Sequence, residues 1–250
     1  RFADYASIHT QLAPYLHMMA REAVDMGLPI IRHPLFVAPE DEAVMGVDDA
    51  YFLGDSLYVA PVIERGATGR SIYLPNGSYV DWHTGLHLTG AQTIDFACPV
   101  GEIPVFLVDG GIVPMYDDTI ETLSREGTES VVGPADVGHL LDVRAARSIG
   151  QSSTTMTDGT LLTIARSDAD VLGPLYHGDE ILPLAESLEA LRDCNGCYLW
   201  DESLPSRLYV TTPLAENIVL TAEGLTLSVT NPAGQPRQVR WNIDLLDTPQ

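Results

Sequence analysis

The sequence predicts a mainly β protein: one amphipathic helix, then an antiparallel β-sandwich, then a second and smaller β domain. Three observations predict it. Near the N-terminal end, apolar residues recur at three- and four-residue spacing, the period of one helix face. From residue 28 onward, short runs rich in Val, Ile, Leu, Phe and Tyr are punctuated by Gly and Pro at regular intervals, the pattern of a sandwich of short strands. In the stretch from Gly54 to Asp81, two apolar runs flank a polar loop, and the turn Pro75-Asn76-Gly77-Ser78 follows. Asn and Gly both tolerate positive φ, so this turn predicts an antiparallel hairpin.

The helix reads from residue 4 to 26. Ile8, Leu12, Tyr15, Leu16, Met19, Ala23 and Met26 form its apolar face, Asp4 is the expected N-cap, and Gly27 followed by Pro29 closes it. Pro14 inside the helix frees the carbonyl of Thr10 and predicts a kink. Packing against a large neighbour outweighs such a defect, and a chain segment preceding residue 1 is the natural neighbour. Residues 28–37 read as a strand interrupted at Pro34. Residues 39–49 are a loop with one short helical turn. Residues 50–63 are one strand, or two broken at Gly54-Asp55. Strands follow at about 70–75, 78–82, 86–88, 92–97, 103–108 and 111–115. Residues 116–137 are acidic and turn-rich, a connector. A second β pattern begins near Gly138, where runs at 140–144 and 161–165 flank a Ser/Thr stretch and an Asp158-Gly159 turn. Residues 172–191 are ambiguous, with a short helix readable at 184–191. Strands at 207–212, 217–221, 225–230 and 238–245 complete the domain, the last preceded by the turn Asn231-Pro232-Ala233-Gly234.

The 250 residues suffice for two modest domains, and a hydrophobic fraction of 45% supplies their cores. No run approaches the roughly 18 consecutive apolar residues of a membrane span. There is no initiator Met and no basic-then-apolar leader, so the chain reads as a stretch of a longer polypeptide. Acidic residues number 35 against 13 basic ones, all Arg, for a net charge of −22. Such a surface repels phosphate backbones and anionic lipids, which argues against nucleic-acid and membrane binding by charge attraction. The acidity reads as a solubility adaptation, to salt for instance, or as a set of divalent-cation sites; no Asp-x-Asp-x-Asp-Gly loop supports the second. Besides Cys98, the cysteines form Cys194-Asn195-Gly196-Cys197, with the spacing of redox and zinc motifs but no second ligand pair and no βαβ setting. Two readings stand: a tight-turn disulfide of an exported protein, or two ordinary small residues.

Several segments resemble glycoside hydrolase family 31, the α-glucosidase/α-xylosidase family, in that family's order. Leu12-Ala13-Pro14-Tyr15-Leu16 resembles the Pro-Tyr-Leu helix that closes its catalytic (β/α)8 barrel, which accounts for the proline. Gly27-Leu28-Pro29-Ile30-Ile31-Arg32 with Pro34-Leu35-Phe36 resembles the strand that leaves the barrel, although His33 is inserted before the proline. Phe52 to Val62, reading FLGDSLYVAPV, is similar to the family's most recognisable C-terminal segment. Gly66-Ala67, Tyr73-Leu74-Pro75 with Gly77, Asp81-Trp82, Thr84-Gly85, Ile103 to Phe106 and Gly110 to Pro114 continue the likeness. Beyond about residue 116 nothing specific is similar.

The resemblance implies that residues 1–27 are the last helix of an upstream barrel, residues 28–116 a proximal C-terminal β-sandwich, and residues 117–250 a connector plus distal β domain. It implies a retaining exo-acting α-glycosidase that hydrolyses terminal α-linked sugars, most simply an α-glucosidase. In such enzymes one Asp attacks the anomeric carbon and a second serves as acid and then base. Family order puts both, and the His that holds the sugar, before the Pro-Tyr-Leu helix. No catalytic, substrate-binding or metal-ligating residue is therefore assigned on this chain, and no metal or organic cofactor is implied. The implied partner is the upstream barrel of the same polypeptide, through which the carbohydrate is met. The competing class is a non-catalytic carbohydrate-binding or interaction module. A row of exposed aromatics would mark it, but aromatics are only 7% and fall at expected core positions.

Asp48-Asp49 and Asp117-Asp118 are the residue type a glycosidase sets across a scissile bond. Neighbours on one segment usually point apart, so a solvated acidic loop is the favoured reading of each pair. Arg32 and His33 lie where a pocket rim is reachable, and a buried Arg paired with a nearby Asp is favoured. His9 and His17 lie near one helix face, but packing disfavours a metal pair there. Trp82 and Tyr79 suit sugar stacking, yet an alternating strand favours core packing. Asn76-Gly77-Ser78 is a formal glycosylation sequon that turn chemistry explains by itself.

Overall fold

The N-terminal periodicity produces two helices rather than one. In the computed structural model, which describes residues 2–124, 131–168, 171–201 and 207–246, Phe2–Gln11 (α1) and Ala13–Met26 (α2) are separated at Leu12. Pro14 has no N–H to offer the carbonyl of Thr10. The ladder holds on either side, with Leu12 N to Ile8 O and Leu16 N to Leu12 O both 2.9 Å. Asp4 sits inside the first turn of α1 and is not the N-cap expected of it. Gly27 ends α2 at φ +75°, its amide donating to Ala23 O at 3.1 Å, which is the left-handed C-terminal residue the sequence predicts. Tyr15, Met18 and Met19 are buried, whereas Met26, expected on the packed face, is 70% exposed. The chain divides into two compact units, Met19–Gly111 with Leu246–Gln250, and Arg1–Met18 with Ile112–Leu245.

The first unit carries β1 (Ile31–Arg32), β2 (Tyr51–Leu53), β3 (Leu57–Val59), β4 (Gly69–Leu74), β5 (Ser78–Asp81), β6 (His87–Thr89), β7 (Gln92–Ala97) and β8 (Val105–Val108). A six-stranded sheet runs β1-β2-β3-β8-β5-β6, and β4 and β7 make a separate two-stranded ribbon. Pro34 does not interrupt a long strand. It opens a 3-10 turn, Pro34–Phe36, so the 28–37 run is only briefly extended. The helical turn expected in 39–49 is Glu42–Gly46, with Asp41 as its cap. Gly54, at φ +61°, breaks the 50–63 run into β2 and β3.

The Asn-Gly turn is the main correction. It does not close a hairpin: β4 pairs with β7 (Ile72 opposite Ile94), while β5 pairs with β6 and β8. Gly77 does take positive φ, +145°, but the turn carries the chain from one sheet to the other. The shared core explains why. Phe52, Tyr58, Tyr79 and Phe106 of the large sheet pack on Ile72 and Leu74 of the ribbon, with Ile94 and Phe96 at its margin. The ring centroids of Phe52 and Tyr58 lie 4.8 Å apart, and Phe96 meets Phe106 edge-on at 5.1 Å. Burying both apolar faces against each other outweighs the local option of pairing β4 with β5.

The second unit carries β9 (Ile112–Met115), α3 (Pro134–Val137), β10 (Leu140–Arg147), β11 (Gly150–Thr155), β12 (Leu161–Arg166), β13 (Leu172–His177), β14 (Glu180–Ile181), α4 (Leu188–Arg192), β15 (Cys197–Trp200), β16 (Arg207–Thr211), β17 (Asn217–Glu223), β18 (Leu225–Thr230) and β19 (Gln238–Leu245). One sheet is β15-β16-β19-β10-β9, the other β11-β12-β18-β17-β13-β14. β10, β12 and β19 alternate: Leu141, Val143 and Ala145, Leu162 and Ile164, and Val239, Trp241 and Ile243 are buried. The sheets are antiparallel except that β10 and β19 run parallel, Leu140 opposite Gln238. In sequence β11 is no more than a Ser/Thr stretch. Its polar residues suit an edge strand with no apolar run to announce it, and it pairs with β12 along its length.

Candidate functional site

Arg32 is the first charged residue the fold buries. Its guanidinium donates to Glu22 of α2, to Asp55 in the β2–β3 turn, and through Nε to Pro29 O at 2.8 Å. Burial opposes the charge, but Glu22 and Asp55 outweigh it and raise the guanidinium pKa above its ordinary value. This is the buried Arg–Asp pair the sequence favours, with a glutamate it did not identify. His33 is pinned beside it: Nδ1 accepts from Leu35 N at 3.1 Å, and Nε2 lies 2.7 Å from Val47 O, which assigns the proton to Nε2. Both nitrogens thus hold the loop.

Asp41 is a carboxylate the sequence reading passed over. It accepts from the Tyr73 hydroxyl at 2.8 and 2.7 Å, from Asn76 N at 3.0 Å and from Ala43 N at 3.1 Å. The Tyr73 bond is the chief reason its carboxyl stays below the ordinary range. Burial, then Asp41, pushes the Tyr73 phenol up to about 12. An open groove beside it is lined by Glu40, Asp41, Glu42, Asn76 and Ala91. Asp48 is exposed, as a solvated loop requires, but Asp49 pairs with Arg70, which also donates to Pro61 O at 2.6 Å. Tyr79 is buried and donates to Pro75 O at 2.9 Å, so it offers no open stacking face, and Trp82 is half-buried. Asp81, also buried, accepts from Thr84 N at 3.0 Å and from the Thr84 hydroxyl, capping the turn that Gly85 ends.

In the other unit, Asp117 overturns the solvated-loop reading. It is 2% exposed and accepts from Thr119 N at 2.9 Å, from the Thr119 hydroxyl and from Arg240. Burial pushes its carboxyl up; Thr119 and Arg240 outweigh that and hold it below the ordinary range. Arg240 also grips Asp142 through Nε (2.6 Å) and Nη2 (2.7 Å), yet burial still lifts the Asp142 carboxyl above its usual value. Asp118 is exposed and pairs with Arg192 of α4. A cleft beside this network is lined by Ser7, Thr10, Asp118, Thr119 and Glu121. Arg207 and Asp244 are opposed on β16 and β19 and form a second buried pair, Nε to Oδ1 2.8 Å. His9 and His17 are both exposed, and no group of three potential metal ligands occurs among the described residues. Cys194 and Cys197 form a disulfide, so they are not merely two small residues, and Cys98 is a buried thiol.

Retaining glycosidases need two carboxyls about 5–5.5 Å apart facing a sugar ring. Here Asp117 and Asp142 meet, but through Arg240 between them. These networks tie segments together; among the described residues they do not present a facing nucleophile and acid. Asp117-x-Thr119 and Asp41-x-Ala43 carried a readable signal, an Asx turn. Asp142 carried none, because its cation lies 98 residues away.

Residues 27–113 match the Glycosyl hydrolase family 31 C-terminal domain. The isomaltosyltransferase of Sporosarcina globispora is 36% identical over 114 residues, covering 46% of this chain and 10% of that protein. Human neutral alpha-glucosidase AB is 32% identical over 179 residues, covering 65% of this chain and 18% of that protein. The chain thus spans only 10% and 18% of the length of these two relatives. In fold it resembles the Flavobacterium johnsoniae GH31 dextranase complexed with glucose, with a TM-score of 0.64 at 20% identity over 92% of this chain and 31% of that one. Residues 27–113 thus carry the glycoside hydrolase family 31 C-terminal domain, within a chain of mainly antiparallel sheets.

Proposed function

We propose that this chain is the scaffolding C-terminal part of a retaining α-glycosidase whose nucleophile and acid/base Asp residues lie in a (β/α)8 barrel earlier in the same polypeptide. Residues 1–27 are then the last barrel helix, 28–116 the proximal sandwich, and 117–250 the connector and distal β domain. Terminal α-linked sugars, most simply α-glucosides, are the substrates, and they are met through the barrel. The observation that carries this reading is the Arg32 joint. At the start of the matched domain, one buried cation fastens α2 to the β2–β3 turn, while Val24 and Met26 of the same helix stand 81% and 70% exposed. A helix so anchored, with apolar residues left uncovered, suits packing against a further part of the polypeptide, and the relatives are long enough to supply one.

The test compares the 250-residue chain with the complete polypeptide on aryl α-glucosides. Turnover is expected from the complete polypeptide alone; turnover at an enzyme-like rate by the short chain would falsify the upstream placement of the carboxylates. The isomaltosyltransferase relative favours a second reading, glycosyl transfer to an acceptor sugar instead of water, which product analysis in the presence of an oligosaccharide acceptor separates from hydrolysis. The binding-module alternative finds less support, because Phe52, Tyr58, Tyr79, Phe106 and Trp241 are buried in cores rather than set in an exposed row.

A further inference from the structure

The Asn-Gly turn that closes no hairpin has chemistry of its own. Asn76 is exposed, and its carboxamide makes no hydrogen bond among the described residues. Gly77 has no side chain to shield its amide, sits at φ +145°, and uses its carbonyl, not its N–H, to bond Gly90 N at 2.7 Å. The backbone N–H of Asn76 is held by Asp41 Oδ2 at 3.0 Å, which anchors the residue while its Cγ stays free.

We propose that Asn76 is a spontaneous deamidation site, and the residue of this chain where that modification concentrates. The Gly77 amide nitrogen loses its proton to solvent hydroxide and attacks Asn76 Cγ. The bond from Cγ to the carboxamide nitrogen breaks, and that nitrogen takes a proton and leaves as ammonia. Water then opens the cyclic imide at either carbonyl, leaving aspartate or isoaspartate at position 76. One water is consumed, one ammonia is released, and nothing is oxidised or reduced.

The chain contains its own control. Asn195-Gly196 is the same dipeptide, but Asn195 Oδ1 accepts from Leu214 N at 3.1 Å, and Gly196 is buried inside the loop closed by the Cys194–Cys197 disulfide. A Cβ at Gly196 would already lie 3.2 Å from Pro213, so that backbone has little room to swing into the cyclic geometry. Asn231 precedes Pro232, which has no N–H to attack, and Asn217 and Asn242 precede branched Ile residues within strands. Conversion at 76 places a carboxylate beside Glu40, Asp41 and Glu42. The isoaspartyl form also lengthens the backbone by one carbon between the residue-76 N–H, which donates to Asp41, and Gly77.

The intact polypeptide, folded, is incubated in mildly alkaline buffer and its peptides are followed by mass. The residue-76 peptide is expected to show the amide-to-acid mass gain and to split into aspartyl and isoaspartyl forms. Its rate should exceed that at Asn195 at least about tenfold, the factor equivalent to about 1.4 kcal/mol of local opening. Asn76→Gln should abolish the gain at that peptide, and denatured, reduced chain should convert both asparagines at similar rates. Equal rates at Asn76 and Asn195 in the folded chain overturn the proposal. So does an Asn76 that stays intact in the fold while the denatured chain converts it.

Discussion

At Arg32 a cation that water would otherwise solvate is held by two carboxylates and a carbonyl. Replacing it by Met keeps the apolar stem but strands its partners. For a fully buried pair the loss is roughly 3–5 kcal/mol. Asp55 is 63% exposed and regains water, so Arg32→Met is expected to cost about 2 kcal/mol in urea unfolding. Tyr73 and Asp41 make a pH-dependent pair. The phenol titrates near 12 in the fold against 10.0 unfolded, so its contribution is whole below pH 10.0 and is lost as pH rises through about 12. Asp41 runs the other way: its folded pKa lies below 3.8, so its contribution is present above 3.8 and is lost as pH falls beneath it. Tyr73→Phe should cost about 1 kcal/mol at neutral pH and flatten the alkaline limb of the stability profile. An alkaline limb identical to the parent's would rule the pair out as its source. Arg32 and the kind of partner it needs were legible in sequence. Tyr73 and Asp41, 32 residues apart, were not, because nothing local says that the 3-10 loop folds back over β4.

Among the elements, the corner between β6 and β7 shows how strongly backbone approach is enforced. Gly90 donates to Gly77 O at 2.7 Å, and a Cβ there would run into the carbonyl oxygen of Pro75 and come within 3.0 Å of Gly77 N. Gly90→Ala should therefore cost about 3 kcal/mol or more, since backbone on both sides must shift. Gly66 has positive φ but open space around it, so Gly66→Ala should cost only about 1–2 kcal/mol of conformational strain. Thermal unfolding of both variants gives the comparison, and equal losses would remove the close approach as the cause. The kink at Pro14 was readable because a proline acts on its own turn, but its outcome, two helices parted at Leu12, was not. The partner of β4 was not, since Asn76-Gly77 specifies a bend and leaves open which strand receives the chain after it.

For the whole molecule the dominant fact is charge. Arg21, Arg32, Arg70, Arg192, Arg207, Arg237 and Arg240 are all engaged in ion pairs, and the net charge is still −22. The uncompensated carboxylates repel one another, and salt shortens the reach of that repulsion from about 10 Å at 0.1 M to about 3 Å at 1 M. Over that range the melting temperature is expected to rise by about 5 °C; a flat or falling value in a sodium chloride series would mean that screening of the ion pairs outweighs relief of the repulsion. The sequence by itself determined the charge surplus, the mainly β composition, the proline defect in the N-terminal helix and the family of residues 27–113, because each is a property of composition or of neighbours along the chain. Tertiary structure alone decided that β4 leaves β5 for β7, that β10 and β19 run parallel, that Asp117 is buried beside Arg240, and that Cys194 meets Cys197 in a disulfide. Those outcomes depend on which apolar faces cover one another and on charges brought together from up to 123 residues apart, a competition that no local pattern records.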